Sequence, residues 1–335
     1  MVMVLEIAPA SKSDLFTWTY VFPNVTVTVS SLPSIKPPEQ FYSQTVTAAS
    51  LAQSQSRVQS QLSRDLYMGQ LSVVALASTL TTEQMTTVMN TLNHEGLTPK
   101  TYWVVTGPPP LTKLFLPTPQ ETVPQLYFSH LFECLKCQPF KLGRHGWQFW
   151  TTTVTPGISP TAPYATNATH VNELAVWGLN GPPHIFNAYQ TQGWAYLTGH
   201  ADKAIVALPT SPTLTTISRI HGAPSVHVKL VTGTLHVTVI LKLTGTLSQF
   251  PAGVTLNQQF LRRIQHLGEQ AVLARCRAAL RLADSTHTDP FGYARTLFWT
   301  NNEATHRMSW DQLATLPIHT TLKVKLKVVG QGVSA

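Results

Sequence analysis

The last stretch of this chain constrains its fold most. From Thr321 to Val329 the residues alternate without a break, with Leu322, Val324, Leu326 and Val328 on one side and Lys323, Lys325 and Lys327 on the other. A period of two fits a strand with one buried and one wetted face, so the chain must build a sheet and cover one side of it. A second clear pattern precedes it. Leu256 to Ala283 reads as the longest helix, because at 100° per residue Phe260, Leu261, Ile264, Leu267, Ala271, Val272, Ala274, Ala278, Ala279 and Leu282 fall on one arc. Arg262, Arg263, His266, Arg277 and Arg281 fall on the opposite arc, interrupted by Leu273 and Leu280, so cover on more than one side is expected. A long helix and a closing strand in one C-terminal region imply an α+β fold.

The rest of the chain extends that expectation to a multidomain α+β protein with mixed sheets and packed helices. Val2 to Ala8 and Phe16 to Phe22 read as strands around the polar turn Ser11-Lys-Ser-Asp14, and Val25 to Val29 as a further strand. Thr45 to Leu62 reads as a Gln-rich helix. Leu71 to Ala77 is a buried strand, Thr82 to Leu92 a helix, and Tyr102 to Thr106 a strand stopped by Gly107-Pro-Pro-Pro110. Leu126 to Leu135 looks helical, and Pro156 to Pro163 reads as a linker or loop. Beyond it, Leu174 to Leu179, His184 to Tyr189, Gly193 to Leu197 and Ala204 to Leu208 are expected strands. Thr232-Gly233-Thr234 hinges a hairpin within Ser225 to Leu243. Tyr293 to Asn301 reads as helical, and Ser309 is a candidate N-cap for a short helix through Leu313. At 335 residues two or three domains are expected. The boundaries fall at 1–178, with a subdivision near 110–120 left open, and at 179–335.

Chemistry is sparse in this sequence. Only 11% of residues are charged, against about 25% in ordinary domains. The net charge of +8 is spread along the chain, and its longest basic cluster is Arg262-Arg263. Such a balance suits nucleic acid, an anionic membrane or an acidic partner without choosing among them. No nucleic-acid module or interleaved aromatics accompany it, so no nucleic acid is expected. There is no glycine-rich phosphate loop, Gly-x-Ser-x-Gly elbow or His-Glu-x-x-His. His221, His227 and His236 lie on or near one hairpin at a spacing that matches no standard metal site, so neither metal nor other cofactor is expected. Cys134-x-x-Cys137 sits in an apolar-periodic stretch and reads as two thiols or one incidental bridge. No run approaches the roughly 20 apolar residues of a membrane helix. Met1 to Glu6 shows no basic region, apolar core or cleavage site, so a soluble chain without an export signal is expected. The lysine ladder faces solvent, an anionic membrane or a partner. At about 1 kcal/mol per lysine, its three lysines orient a tethered protein but do not hold it at a membrane.

The C-terminal order carries a resemblance. Asp289-Pro290-Phe291-Gly292-Tyr293 follows the long helix. Then come Arg295, Trp299, Trp310, Leu316-Pro317 and the alternating strand ending at Gly330. This resembles the C-terminal domain of the spore germination GerC-type family, also called Ger(x)C. Ser63 to Val74 resembles the segment before that family's central N-domain strand. His184 to Gly199 resembles the strand–turn–strand that opens its C-terminal domain. The resemblance implies a non-enzymatic scaffold of several α+β domains, the type C subunit of a nutrient germinant receptor. It implies a lipoprotein on the outer face of the spore's inner membrane, with type A and multi-span type B subunits as partners. It also implies an export signal and a lipobox cysteine before the first strand, whereas the first cysteine here is Cys134. Pro290 and Ala294 stand where the family commonly has Ile and a second Gly, so a different local turn is expected. Asp289, Phe291, Gly292, Trp310 and Gly330 are carried over as structural motif residues, with Phe291, Gly292 and Trp310 read as packing and turn residues. A soluble small-molecule-binding protein with a pocket between domains is the alternative, and a hydrolase stands third.

Overall fold

The computed structural model describes residues 1–12, 14–23, 41–96, 98–115, 124–134, 138–167, 170–210, 213–251, 256–300, 308, 312–313 and 315–330. The expected strand at Val25 to Val29, Cys137, Ser309 and Trp310 lie outside the described residues. The chain divides into two compact units. The first comprises 1–133, 143–155 and 160–185, and the second 134–142, 156–159 and 186–335.

The first unit is built on one sheet. β1 (Val4–Pro9) and β2 (Phe16–Pro23) pair antiparallel, and β3 (Phe41–Ala48) adds antiparallel to β2. Helix α1 (Leu51–Gln59) follows, capped by Ser50. The expected helix from Thr45 is therefore corrected, since Thr45 to Ala48 continue a strand and α1 ends at Gln59. The stretch before Ser50 is rich in aromatic and β-branched residues, and pairing with β2 buries Val46 and Ala48. That pairing outweighs a weak helical pattern. β4 (Val73–Ala77) and β5 (Trp103–Gly107) join β1 in parallel, joined to each other by α2 (Thr82–His94). A reciprocal Thr81–Gln84 capping box starts α2.

Every residue of β4 and β5 is buried, as expected of parallel strands covered on both faces. On one face Leu5, Ile7, Trp18, Val74 and Leu76 pack with Leu51, Met85, Val88 and Leu92 of α1 and α2. On the other, Val4, Val73, Ala75 and Val105 pack with Leu111, Leu114, Phe128 and Phe132. Leu111 and Leu114 lie on a 3-10 turn (Leu111–Phe115), and Phe128 and Phe132 on α3 (Pro124–Glu133). β6 (Arg144–His145) pairs with β5, α4 (Gly146–Val154) follows, and β7 (Thr161–Tyr164), β8 (Glu173–Val176) and β9 (His184–Phe186) complete the sheet. The linker read at 156–163 is thus a strand from Thr161 onward, and the expected strand at 184–189 stops at Phe186.

In the second unit the expected strand at Gly193 to Leu197 is a helix, α5 (Ala188–Thr198), so His184 to Gly199 is strand and helix. An Asn187–Gln190 capping box starts α5, and Gly199, at φ 75°, ends it in the left-handed conformation. Thr191 and every residue from Gly193 to Leu197 are buried. A helix with no wet stripe over those residues shows no 3.6-residue period, and its aromatic residues mimic a strand.

The sheet of this unit runs β10 (Ala204–Thr210), β11 (Thr213–His221), β13 (Thr234–Gln249), β12 (Pro224–Val231), with β14 (Ile318–Gly330) on β13. The first half of β13 pairs with β12 and the second half with β11, while β14 runs parallel along its other side from Leu235↔Ile318 to Leu247↔Gly330. Thr232 and Gly233 both take positive φ, 48° and 78°, which makes the tight β12–β13 hairpin.

α6 (Gln258–Ser285) packs on the buried face of this sheet. A Cβ at Gly268 would press on Leu326 and Ile217, which places the helix close over β14 and β11. Its buried line is Ile264, Gly268, Val272, Cys276, Ala279 and Ala283, narrower than the expected arc, while Arg262, Arg263, His266, Arg277 and Arg281 are exposed. α5 crosses α6 at Gly193, where a Cβ would collide with the carbonyl of Arg275. α7 (Tyr293–Thr300) follows.

Candidate functional site

Three features of the second unit collect the motif residues. The first is the turn between α6 and α7. Asp289 is buried, and its carboxylate accepts from backbone amides: Oδ1 from Phe291 (3.2 Å) and Gly292 (2.9 Å), Oδ2 from Ala294 (2.9 Å). A helix leaves its first amides without intrahelical acceptors, and here one carboxylate serves the start of α7. The backbone of Asp289 is fixed as well. Its N–H donates to Ser159 Oγ and its carbonyl accepts from Ser159 N–H, each at 2.9 Å. Trp194 Nε1 donates to the Pro290 carbonyl at 3.0 Å. Gly292 has φ 71°, a conformation costly for other L residues, and Phe291 stacks on Tyr293 at 5.2 Å. Burial pushes the Asp289 carboxyl up to about 6, against the pull of the amides of Ala294, Phe291, Gly292 and Tyr293.

The second feature is the wet face of the closing strand. Lys323, Lys325 and Lys327 are exposed, while Leu326 and Val328 are buried and Leu322 and Val324 half-buried. Gly330 ends the strand opposite Leu247. Glu269 of α6 reaches β14, where its Oε1 accepts the Leu326 N–H at 2.9 Å.

The third is a groove of about 710 Å³ beside the C-terminal half of α6, lined by Arg277, Arg281, Phe291, Tyr293, Leu316 and Ile318 among others.

The three histidines noted in the sequence do not converge. His221 Nδ1 meets the Arg219 carbonyl, His227 lies 3.4 Å from Ser225 Oγ, and His236 packs near His319 at 5.4 Å between ring centroids. Among the described residues no three His, Cys, Asp or Glu side chains gather as a metal site, and no helix is long and apolar enough to cross a membrane. Cys134 is disulfide-bonded. Cys276 is a free thiol buried on α6, and burial pushes it up to about 12, which keeps it a thiol.

Sequence reasoning missed Glu6 of β1 in the first unit. It is 5% exposed, its Oε1 has no hydrogen-bond partner, and burial pushes its carboxyl up to about 7. The available signal was a lone acid inside Val4-Leu5-Glu6-Ile7-Ala8, a strand apolar on both faces.

Two α+β units, the second a five-stranded sheet under a long helix, define the class of fold. It is shared with the solved structure described as "Crystal Structure of the GerBC protein", at 11% identity and a TM-score of 0.59, over 97% of this chain and 96% of that one. The family model "Spore germination protein N-terminal domain" matches residues 1–167, and "Spore germination B3/ GerAC like, C-terminal" matches residues 184–330. The chain belongs to this GerAC/GerC-type spore germination family. No curated protein matches it.

Proposed function

We propose that this protein is the type C subunit of a nutrient germinant receptor, a non-enzymatic scaffold acting with type A and type B subunits at the outer face of the spore's inner membrane. The observation that carries this reading is that both domain models of the family occur in one chain, in order. The chemistry of the described residues agrees with a scaffold. The buried Asp289 carboxylate is occupied by backbone amides, and the one free thiol on α6 is held protonated. Asp289, Phe291, Gly292 and Gly330 act in this reading as framework, and Lys323, Lys325 and Lys327 face the membrane or a partner.

Affinity isolation of the tagged protein from spore membranes tests the assembly. The expected result is recovery with one large A-type and one multi-span B-type protein. Recovery of the chain alone, under conditions that keep other membrane complexes intact, would refute it.

The groove beside α6 favours a second reading, a small-molecule-binding protein, because Arg277, Arg281 and Asp284 line it together with apolar Leu280, Leu316 and Ile318. A melting temperature of the isolated chain that rises with the concentration of one nutrient would support that reading.

A further inference from the structure

The lysine ladder belongs to a larger surface. Between Asp202 and Glu269 the sequence has no acidic residue, and none follows Asp311. All five strands of the second unit's sheet fall within those limits. Register places Lys242 directly beside Lys325, and Lys323 and Lys327 flank Lys325 two residues away on the same face. Lys229 lies on that face too, paired with His236, which pairs in turn with His319. All five lysines are exposed, and among the described residues none of them makes an ion pair.

Like charges set opposite each other destabilise a sheet. This sheet sets Lys242 against Lys325 with no acid on the face to relieve it. Glu269 of α6 does share a shallow depression with Lys242, Lys325 and Lys327, but its Oε1 is bonded to the Leu326 amide, and one acid stands there against three lysines. An external layer of negative charge would turn that repulsion into attraction.

The residue type narrows what the layer is. The outer faces of β12, β13 and β14 carry no arginine. Arginine's planar fork suits a carboxylate or phosphate in fixed geometry. Lysine is a mobile point charge that suits many interchangeable anions. Along the strand the ladder residues repeat at about 6.6 Å, and the neighbouring strand lies about 4.8 Å away, so the charges form a plane rather than a pocket. We infer that the outer face of β12, β13 and β14 docks flat on the phosphate headgroups of an anionic lipid surface. This deepens the proposed function, on which it rests for a membrane being present, by assigning the face that meets it.

Three lysines alone do not hold the chain at a membrane, but five reach sub-millimolar partitioning, so flotation of the purified full chain with phosphatidylcholine vesicles at millimolar lipid, with and without phosphatidylglycerol, tests the inference at low and high salt. Binding is expected only to the anionic vesicles and is lost at high salt. Each lysine removed weakens partitioning about fivefold, so the variant with Lys242→Gln, Lys323→Gln, Lys325→Gln and Lys327→Gln binds more than roughly a hundredfold more weakly. The pair Arg262→Gln and Arg263→Gln, on the exposed arc of α6, leaves binding unchanged, and circular dichroism verifies that each variant is folded.

Absence of wild-type binding to anionic vesicles overturns the inference, as does equal binding by the lysine variant or equal weakening by the arginine pair. Lysine-dependent capture on polyglutamate without binding to vesicles assigns the face to an acidic protein and overturns it too. Failed vesicle binding with intact co-isolation of the A and B subunits would sink this surface alone. Vesicle binding without co-isolation would sink the receptor reading alone.

Discussion

Among the described residues the two units bury one carboxylic acid each, Glu6 in the first and Asp289 in the second, and they hold them in opposite ways. Glu6 sits in a strand whose neighbours on both sides occupy the ladder amides, so no backbone donor is left for Oε1. Asp289 sits in the turn before a helix and takes three amides, those of Phe291 and Gly292 in the turn and that of Ala294 in the first turn of α7. Burial acts on both acids in the same direction. Burial raises Asp289 from 3.8 to about 6 in spite of its amide bonds, and Glu6 from 4.5 to about 7 with no such bonds to oppose it. At neutral pH Asp289 is therefore largely ionised and organises its turn, whereas Glu6 is about half protonated and organises nothing. Both acids carry a cost of burying charge at neutral pH, but only at Asp289 do backbone donors meet that charge and fix a turn with it.

The largest effect is expected from Asp289→Ala. It leaves the amides of Phe291 and Gly292 in the turn and of Ala294 in α7 without this acceptor, which outweighs the relief of a buried charge, and the second unit should lose about 4 kcal/mol in urea unfolding at neutral pH. Asp289→Asn, which keeps one oxygen for Phe291 and Gly292 and removes the buried charge while orphaning the Ala294 amide, should change stability by less than about 1 kcal/mol. A loss below about 1 kcal/mol for Asp289→Ala would mean that Ser159 and Trp194 hold the turn without the carboxylate.

Glu6→Gln should act with the opposite sign. The folded-state pKa of Glu6 is raised from 4.5 to about 7, so the folded protein keeps a proton that the unfolded chain has already released. The contribution to stability is fullest below pH 4.5, falls as pH rises through that window, and is flat above 7. Glu6→Gln should thus gain about 3 kcal/mol at pH 8 and almost nothing at pH 4. A pH-independent difference between the two proteins in thermal unfolding would show that Glu6 finds a partner.

Ser159→Ala should have a smaller effect than Asp289→Ala. It removes the acceptor of the Asp289 N–H but leaves the carboxylate bonds, so a loss of about 1 kcal/mol is expected in the same urea assay. A loss as large as that of Asp289→Ala would move the weight of the turn from the carboxylate to the serine.

Elements with one wet face were legible in the sequence. β14, the Thr232–Thr234 hairpin and α6 each show a period, because solvent selects polar residues on one side. α5 hides its period because its middle is buried on every side, and β3 hides its own because its strand character comes from pairing with β2. β11 was not expected at all, since register shifts against β13 and a positive φ at Arg219 break its alternation. The motif around Asp289 was legible as a pattern of residue types. The bonds of its carboxylate were not, because they depend on where α7 begins and on Ser159, 130 residues away in sequence. The lysine ladder was visible in one strand. Lys242 and Lys229 join it only through strand register, which a single sequence does not display.

The central claim is that this chain works as a subunit of a nutrient receptor. It is tested most directly by deleting its gene from the spore-forming host and following germination nutrient by nutrient. Germination with at least one nutrient should be lost or strongly slowed, and the wild-type gene should restore it. Unchanged germination with every nutrient, in a host with no second copy of the family, would contradict it.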